Sequence, residues 1–173
     1  SELKADEFKI NAFSINGGKD KGLWYFGYNN NDPKTGKIVK KTDAGSTILT
    51  IEKVTVSDAG SNVYAFKIKG TDKYLAVEKG GGERVFIESY PGIATPPVEA
   101  QFRNLTAFTK AAGSDQFSSL ESLAKPKHFL RHSGLILFVH KEEPSELFKQ
   151  DASWKIEEES GVTSPVTVWP VIN

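Results

Sequence analysis

The sequence predicts an all-β fold, and three observations support this prediction. Short apolar segments alternate like strands, and turn residues such as those at 30–33 and 80–82 separate them at intervals of about 8–12 residues. Gly and Pro are frequent, with 15 and 8 copies in 173 residues, and they suit the φ angles that tight turns require. No segment has the apolar spacing of a long amphipathic helix, and the best helical candidate is a single turn at 144–149.

Three similar segments indicate internal repetition. They read GLWYF from Gly22, KYLAV from Lys73 and HFLRH from His128, and they start about 50 to 55 residues apart, a period typical of arrays and pseudo-symmetric folds. Each segment is preceded by one β-like stretch and followed by two. The predicted strands are, in chain order, residues 13–15, 22–26, 37–39, 48–51, 66–68, 73–77, 84–87, 101–105, 120–122, 128–132, 135–139 and 153–156.

Three repeats of four strands predict a β-trefoil, which is a six-stranded barrel capped by three hairpins. We expect one domain over 1–173, with repeats at about 8–56, 60–109 and 115–157. In this scheme three large apolar residues occupy equivalent, buried positions: Leu49, Phe102 and Trp154. The remaining residues, 158–173, contain Val168 and Trp169 and are too apolar for simple disorder, so we expect an extended tail packed on the barrel.

Composition excludes several classes of function. Lys plus Arg (22) balances Asp plus Glu (22), which disfavours nucleic-acid or anionic-membrane partners. The absence of Cys excludes disulfides and thiolate chemistry. No apolar run approaches the ~18 residues of a membrane span, and the start SELKADEFKI has no signal-peptide apolar segment.

The stretch from Ser119 to Ile156 contains Leu120-Glu121-Ser122, then Phe129-Leu130-Arg131-His132, and then Asp151-Ala152-Ser153-Trp154. This order resembles the arabinofuranose-binding domain of α-L-arabinofuranosidases, whose repeats read roughly S-x-E-S, Y-L-R-H and D-A-T-F. The resemblance covers about a fifth to a quarter of the chain and implies a β-trefoil. It also implies a non-catalytic, lectin-like domain that binds glycans, in a secreted or cell-surface setting.

The resemblance places two residues of this chain in a sugar pocket, His132 and Asp151. A carboxylate accepts hydrogen bonds from hydroxyl groups, an imidazole donates or accepts, and an aromatic face covers the sugar ring; Phe129 or Phe148 would supply that face. The chain departs from the family pattern at Phe129, where a Tyr is usual, and at Gly134, where an Asn is usual. The first two repeats lack the pair, so we expect at most one pocket. The alternative is that His132 is hydrogen-bonded to the backbone and serves only the fold.

Other kinds of site have weaker support in the sequence. His128, His132 and His140 lie close together, but no further ligand follows at a tight spacing, so we expect no metal and no cofactor. No nucleophile or phosphate-binding motif is present, and we expect no enzymatic activity.

The second functional hypothesis is a monomeric protein-interaction trefoil of the cytokine or protease-inhibitor kind. The third repeat is also loosely similar to interleukin-1-type proteins. The aromatic residues of 24–28 are candidates for an exposed surface, although strand alternation favours an inward Trp24 and Phe26 with Tyr25 partly exposed. The expected partner is therefore a glycan, pentose-containing if the resemblance holds, or a protein.

Overall fold

A computed structural model of the chain describes residues 5–12, 23–109 and 117–158. These residues contain one α-helix, α1 (Glu146–Asp151), and two 3-10 turns, Ser57–Ala59 and Val98–Ala100; none of these is long and apolar enough to cross a membrane. The all-β prediction is confirmed. The strands of the described residues are β1 (Ala5–Ala12), β2 (Trp24–Asn29), β3 (Asp32–Lys40), β4 (Ser46–Ile48), β5 (Ile51–Thr55), β6 (Val63–Ile68), β7 (Lys73–Val77), β8 (Val85–Ser89), β9 (Gln101–Thr106), β10 (Phe117–Ser122), β11 (His128–Ser133), β12 (Ile136–Lys141) and β13 (Trp154–Glu158).

Six strands form a closed, antiparallel ring. β1 pairs with β13, β13 with β10, β10 with β9, β9 with β6, β6 with β5, and β5 returns to β1. Closure gives each of these strands a neighbour on both sides, which removes the exposed edges of an open sheet. The ring is a barrel, and side chains alternate between its interior and its exterior.

Three hairpins cover one end of this barrel: β2–β3, β7–β8 and β11–β12. They also pair with one another, through β3 with β8, β12 with β3, and a bridge between Arg84 and Phe138. A six-stranded barrel closed by three hairpins is the β-trefoil arrangement. The bounds of the three sequence repeats and the single-domain assignment over 1–173 remain predictions.

Strand register corrects the alignment of the first repeat. One residue of each hairpin pairs with the preceding barrel strand: Tyr25, Tyr74 and Phe129. The next residue belongs to the main core in every case: Phe26, Leu75 and Leu130. The alignment of the repeats from the sequence placed Trp24 opposite Leu130. The structure places Phe26 there, so the predicted register of the first repeat was wrong by two residues. A run of three aromatic residues has no apolar–polar alternation, so it gives no signal that fixes register.

The predicted core positions are confirmed. Leu49 is 2% exposed, and Phe102 and Trp154 are 0% exposed. The Trp154 ring meets Phe26 edge to face, with the ring centroids 4.5 Å apart. Its indole Nε1 donates a hydrogen bond of 2.9 Å to the Leu130 carbonyl oxygen, which ties β13 to the third hairpin.

The aromatic residues at 24–28 mostly serve this core. Phe26 is fully buried, and Trp24 and Tyr28 are partly buried and pack against the same cluster. Tyr25, which we expected to be partly exposed, is only 4% exposed. The run therefore does not form the exposed aromatic surface that a protein-interaction site would need.

The predicted tail lies almost wholly outside the described residues. Glu158 ends β13, and 159–173, including Val168 and Trp169, lie outside them. The packing of the tail stays a prediction.

Candidate functional site

The candidate site lies between β11 and the carboxyl end of α1. The helix begins where Ser145 caps it, because its side-chain oxygen accepts a 3.2 Å hydrogen bond from the Phe148 backbone N–H. It ends at Asp151, and the next backbone N–H, of Ala152, donates to the Phe148 carbonyl oxygen at 2.9 Å. A short, capped helix with a fixed end gives the Asp151 carboxylate a defined position over β11.

The structure brings together the two polar residues that the resemblance singled out. His132 Nε2 lies 3.6 Å from Asp151 Oδ1. The Asp151 side chain is 12% exposed and that of His132 is 20% exposed, so both groups remain in partial contact with the surface. The distance allows electrostatic attraction but exceeds a normal hydrogen bond. His132 Nε2 is buried and has no hydrogen-bond partner.

Arg131 holds the Asp151 carboxylate. Its Nη2 donates a hydrogen bond to Asp151 Oδ2, and both side chains are nearly buried. The guanidinium also lies 5.2 Å from the centroid of the Phe148 ring, and Nη1 lies 3.3 Å from His140 Nδ1. The planar guanidinium thus fixes one carboxylate oxygen and leaves the other directed towards His132.

Burial controls the ionisation of His132. Desolvation lowers the pKa of this imidazole below 6.5, the nearby Asp151 carboxylate opposes that shift, and the Arg131 guanidinium adds to it. The ring is therefore neutral at pH 7. It also packs edge-on against Trp154, with centroids 5.7 Å apart, which restricts its orientation.

Phe129 is not positioned as the expected sugar-facing aromatic. It is 6% exposed and meets Phe108 edge-on at 4.9 Å. Phe148, the alternative, is fully buried and also contacts Phe108, at 5.6 Å. Together with Ala152 these rings form a small core beneath α1, so they support the site from below.

The other two histidines face Glu83, at the tip of the second hairpin. His140 Nε2 and His128 Nε2 lie 3.7 and 3.9 Å from the two Glu83 oxygens. Because Arg131 can only donate, His140 Nδ1 must accept, which places the His140 proton on Nε2, towards Glu83. Burial lowers the pKa of His140, and Glu83 opposes that shift. No group of three potential metal ligands converges within the described residues.

The role of Arg131 was not predicted from the sequence. The signal was present, because a strand that otherwise fills the core has an arginine beside the histidine. Its partner could not be identified, since Asp151 lies 20 residues away and the guanidinium reaches it only through the position of α1.

Comparison with known families supports the resemblance. Residues 93–158 match the family model of the Alpha-L-arabinofuranosidase B (ABFB) domain. This segment contains His132 and Asp151, together with the Arg131 that binds Asp151. A search of curated protein sequences finds no match to this chain.

Solved structures share the fold at low identity. A GH54 α-L-arabinofuranosidase soaked with a cyclic sulfate inhibitor superposes with a TM-score of 0.60 at 18% identity, over 91% of this chain and 32% of that one. An arabinofuranosidase complexed with arabinofuranosyl-α-1,2-xylobiose gives 0.60 at 17% identity, with the same coverage. Chicken interleukin-1β gives 0.59 at 17% identity, over 88% of this chain and 96% of that one. The matched part of each is a β-trefoil, and this chain spans about a third of the arabinofuranosidase chains.

Proposed function

We propose that this chain is a non-catalytic carbohydrate-binding module, with its sugar site at the His132–Asp151 pair. The observation behind the proposal is the meeting of these two side chains at 3.6 Å, with the carboxylate oriented by Arg131. The ABFB match covers the whole site. Arabinofuranose-containing glycans are the first ligands to test, and an extracellular setting goes with them.

The chemistry of the pair suits a sugar hydroxyl. A hydroxyl group donates one hydrogen bond and accepts others, so it can bond an imidazole N–H and a carboxylate oxygen at once. His132 and Asp151 hold this combination with the direct hydrogen bond between them unmade. Because His132 Nε2 is buried, a ligand hydroxyl reaches it only after a small movement of the side chains around it. A neutral imidazole avoids the strong ion pair that would otherwise compete with a ligand.

Rigidity is the second requirement, because a shallow sugar site gains affinity when its groups are already oriented. Arg131 fixes Asp151, Trp154 restricts His132, and the Phe129 cluster supports α1 from below. The Asp151 carboxylate and the His132 ring are therefore already oriented before a ligand binds.

The test is glycan retention with paired variants. Asp151→Asn keeps the shape of the side chain and an oxygen for Arg131 but removes the charge. Glu146→Gln is the matched control, because Glu146 lies on the same helix with a 74% exposed side chain. Affinity electrophoresis on arabinan and arabinoxylan should show retention of the wild type and the control, and loss of retention for Asp151→Asn. Circular dichroism checks that each variant folds.

Two results would reject the proposal. One is a wild type that no pentose-containing glycan retains at millimolar concentrations. The other is an Asp151→Asn variant retained as strongly as the wild type. Either result favours the protein-interaction trefoil, for which the surface from Tyr28 to Lys37 is the next region to mutate.

A further inference from the structure

A concave surface lies at the opposite end of the barrel from the hairpins. It has a volume of about 300 Å³ and is open to solvent. Four polar side chains contribute to it: Asn62, Asn104, Thr106 and Ser118. Leu105 and Phe117 supply apolar surface beside them, and no charged residue of the described part of the chain lines it. We call this concavity the barrel-end cavity.

The strand pattern explains why these polar groups converge. Side chains two residues apart share a face, so Asn104 and Thr106 continue the inward face of β9 that begins with the core residue Phe102. Ser118 continues the face of Leu120 on β10 in the same way. Each strand thus changes from apolar to uncharged polar residues where the core ends.

The backbone holds Asn62 in place beside them. Asn62 has a φ of 60°, a left-handed conformation that asparagine tolerates better than most residues. The Asn104 backbone N–H donates a 2.8 Å hydrogen bond to the Asn62 carbonyl oxygen. Thr106 and Ser118 face each other directly in the pairing of β9 with β10. The four groups therefore sit on hydrogen-bonded backbone.

These four side chains retain their hydrogen-bonding capacity. Within the described residues, no side-chain hydrogen bond engages Asn62, Asn104, Thr106 or Ser118. Two amides offer both donors and acceptors, and two hydroxyls do the same. Such groups, beside apolar surface and without charge, match an uncharged polyhydroxylated molecule better than an anion or a cation.

We propose that the barrel-end cavity is a second binding site, for one uncharged sugar unit. The volume is at the lower end of the range of about 300–1,000 Å³ for small-molecule sites, which suits a single ring. The barrel-end site goes beyond the proposed function and shares no residue with the His132–Asp151 pair. Either of the two proposed sites can therefore be rejected without affecting the other. Two sites on one chain would give a branched or repeating glycan two points of attachment.

The test follows the side-chain amide signals of Asn62 and Asn104 by NMR in the full chain. L-Arabinose, D-xylose and D-galactose are added separately at millimolar concentrations. We expect saturable shifts of these amide signals with at least one sugar, unchanged in Asp151→Asn, which disables only the first site. Thr106→Val keeps the β-branched shape but removes a hydroxyl, and it should weaken the binding at least threefold. Ser61→Ala, next to the cavity, is the control and should leave binding unchanged.

A second variant protects the test against a folding defect. Asn62→Gly retains the left-handed backbone and removes the amide, so it should weaken binding without altering the pairing of β6 with β9. The proposal is overturned if none of the three sugars shifts the amide signals. It is equally overturned if both Thr106→Val and Asn62→Gly fold and bind like the wild type, since the cavity is then only a solvated barrel end.

Discussion

The second and third hairpins share one framework but differ in the chemistry of equivalent positions. Leu75 of β7 and Leu130 of β11 enter the same core, and each pairs with a core residue on its partner strand. The next two residues of β7 are Ala76 and Val77, which are 0% and 3% exposed. In β11 the same places hold an arginine and a histidine.

The segments after the two hairpins both have an acidic residue at the equivalent place, and only the residues that face it differ. Glu99 lies three residues before the core residue Phe102, and Asp151 lies three residues before Trp154. Asp151 meets Arg131 and approaches His132, whereas the corresponding side chains of β7 are apolar. The second hairpin packs well with apolar groups, so the fold itself does not require charge at this position. The charged cluster of the third hairpin therefore calls for a functional explanation.

The first hairpin excludes a site of this kind for a different reason. Register places Gly27 where β11 has Arg131, and a Cβ on this residue would collide with the Thr47 carbonyl oxygen of β4. Since only glycine fits, no side chain can reach towards a carboxylate there. Among the three hairpins of the described residues, the polar pair is confined to the third.

The shared framework predicts the largest effect. Truncation of either core aromatic, Trp154→Ala or Phe102→Ala, should lower the free energy of unfolding by about 3–5 kcal/mol. Trp154 should be at the upper end, because its loss also leaves the Leu130 carbonyl oxygen without the indole donor. Urea denaturation measures both values. A loss below about 1 kcal/mol at either position would contradict the equivalence of the two sites.

The sequence predicted the framework better than the site. Alternation and turn residues were enough for the all-β fold, and Trp154 and Phe102 were correctly predicted to be buried. The register of β2 was predicted wrongly because Trp24, Tyr25 and Phe26 are all large and apolar. The contact of Arg131 with Asp151 was not predicted, because it joins side chains of two different elements. A sequence does not reveal the angle at which α1 packs on β11. Phe129 was expected at a surface, but the burial of its ring depends on Phe108 and α1, which come from distant parts of the chain.

The charged pair predicts the next largest effect. Arg131→Met leaves the nearly buried Asp151 carboxylate without its cation, which should cost about 3 kcal/mol of unfolding free energy. Arg131→Met combined with Asp151→Leu replaces both charges with apolar side chains and should recover most of that loss. The matched control is Arg103→Met, because its partner Glu121 lies at 3.7 Å but Arg103 is 38% exposed; its cost should stay below about 1 kcal/mol. A double variant no more stable than Arg131→Met would show that the pair is a requirement of the fold, contrary to the comparison.

The smallest effect concerns pH, and His132→Val measures it by giving the third hairpin the valine of the second. The pKa of His132 is lowered from 6.5 in the folded protein, chiefly by burial, while Asp151 partly opposes the shift and Arg131 adds to it. The unfolded chain therefore binds a proton first as the pH falls. The stability from the neutral ring is complete above pH 6.5 and is lost as the pH falls through the lower folded pKa.

His132→Val should lose less unfolding free energy over this interval than the wild type. The difference between the two proteins isolates His132, since the lowered pKa of His140 contributes to both. If the unfolding free energies of the wild type and of His132→Val fall in parallel during acid denaturation, the pKa of His132 is not lowered in the folded protein. That result would reject a buried, neutral imidazole beside Asp151.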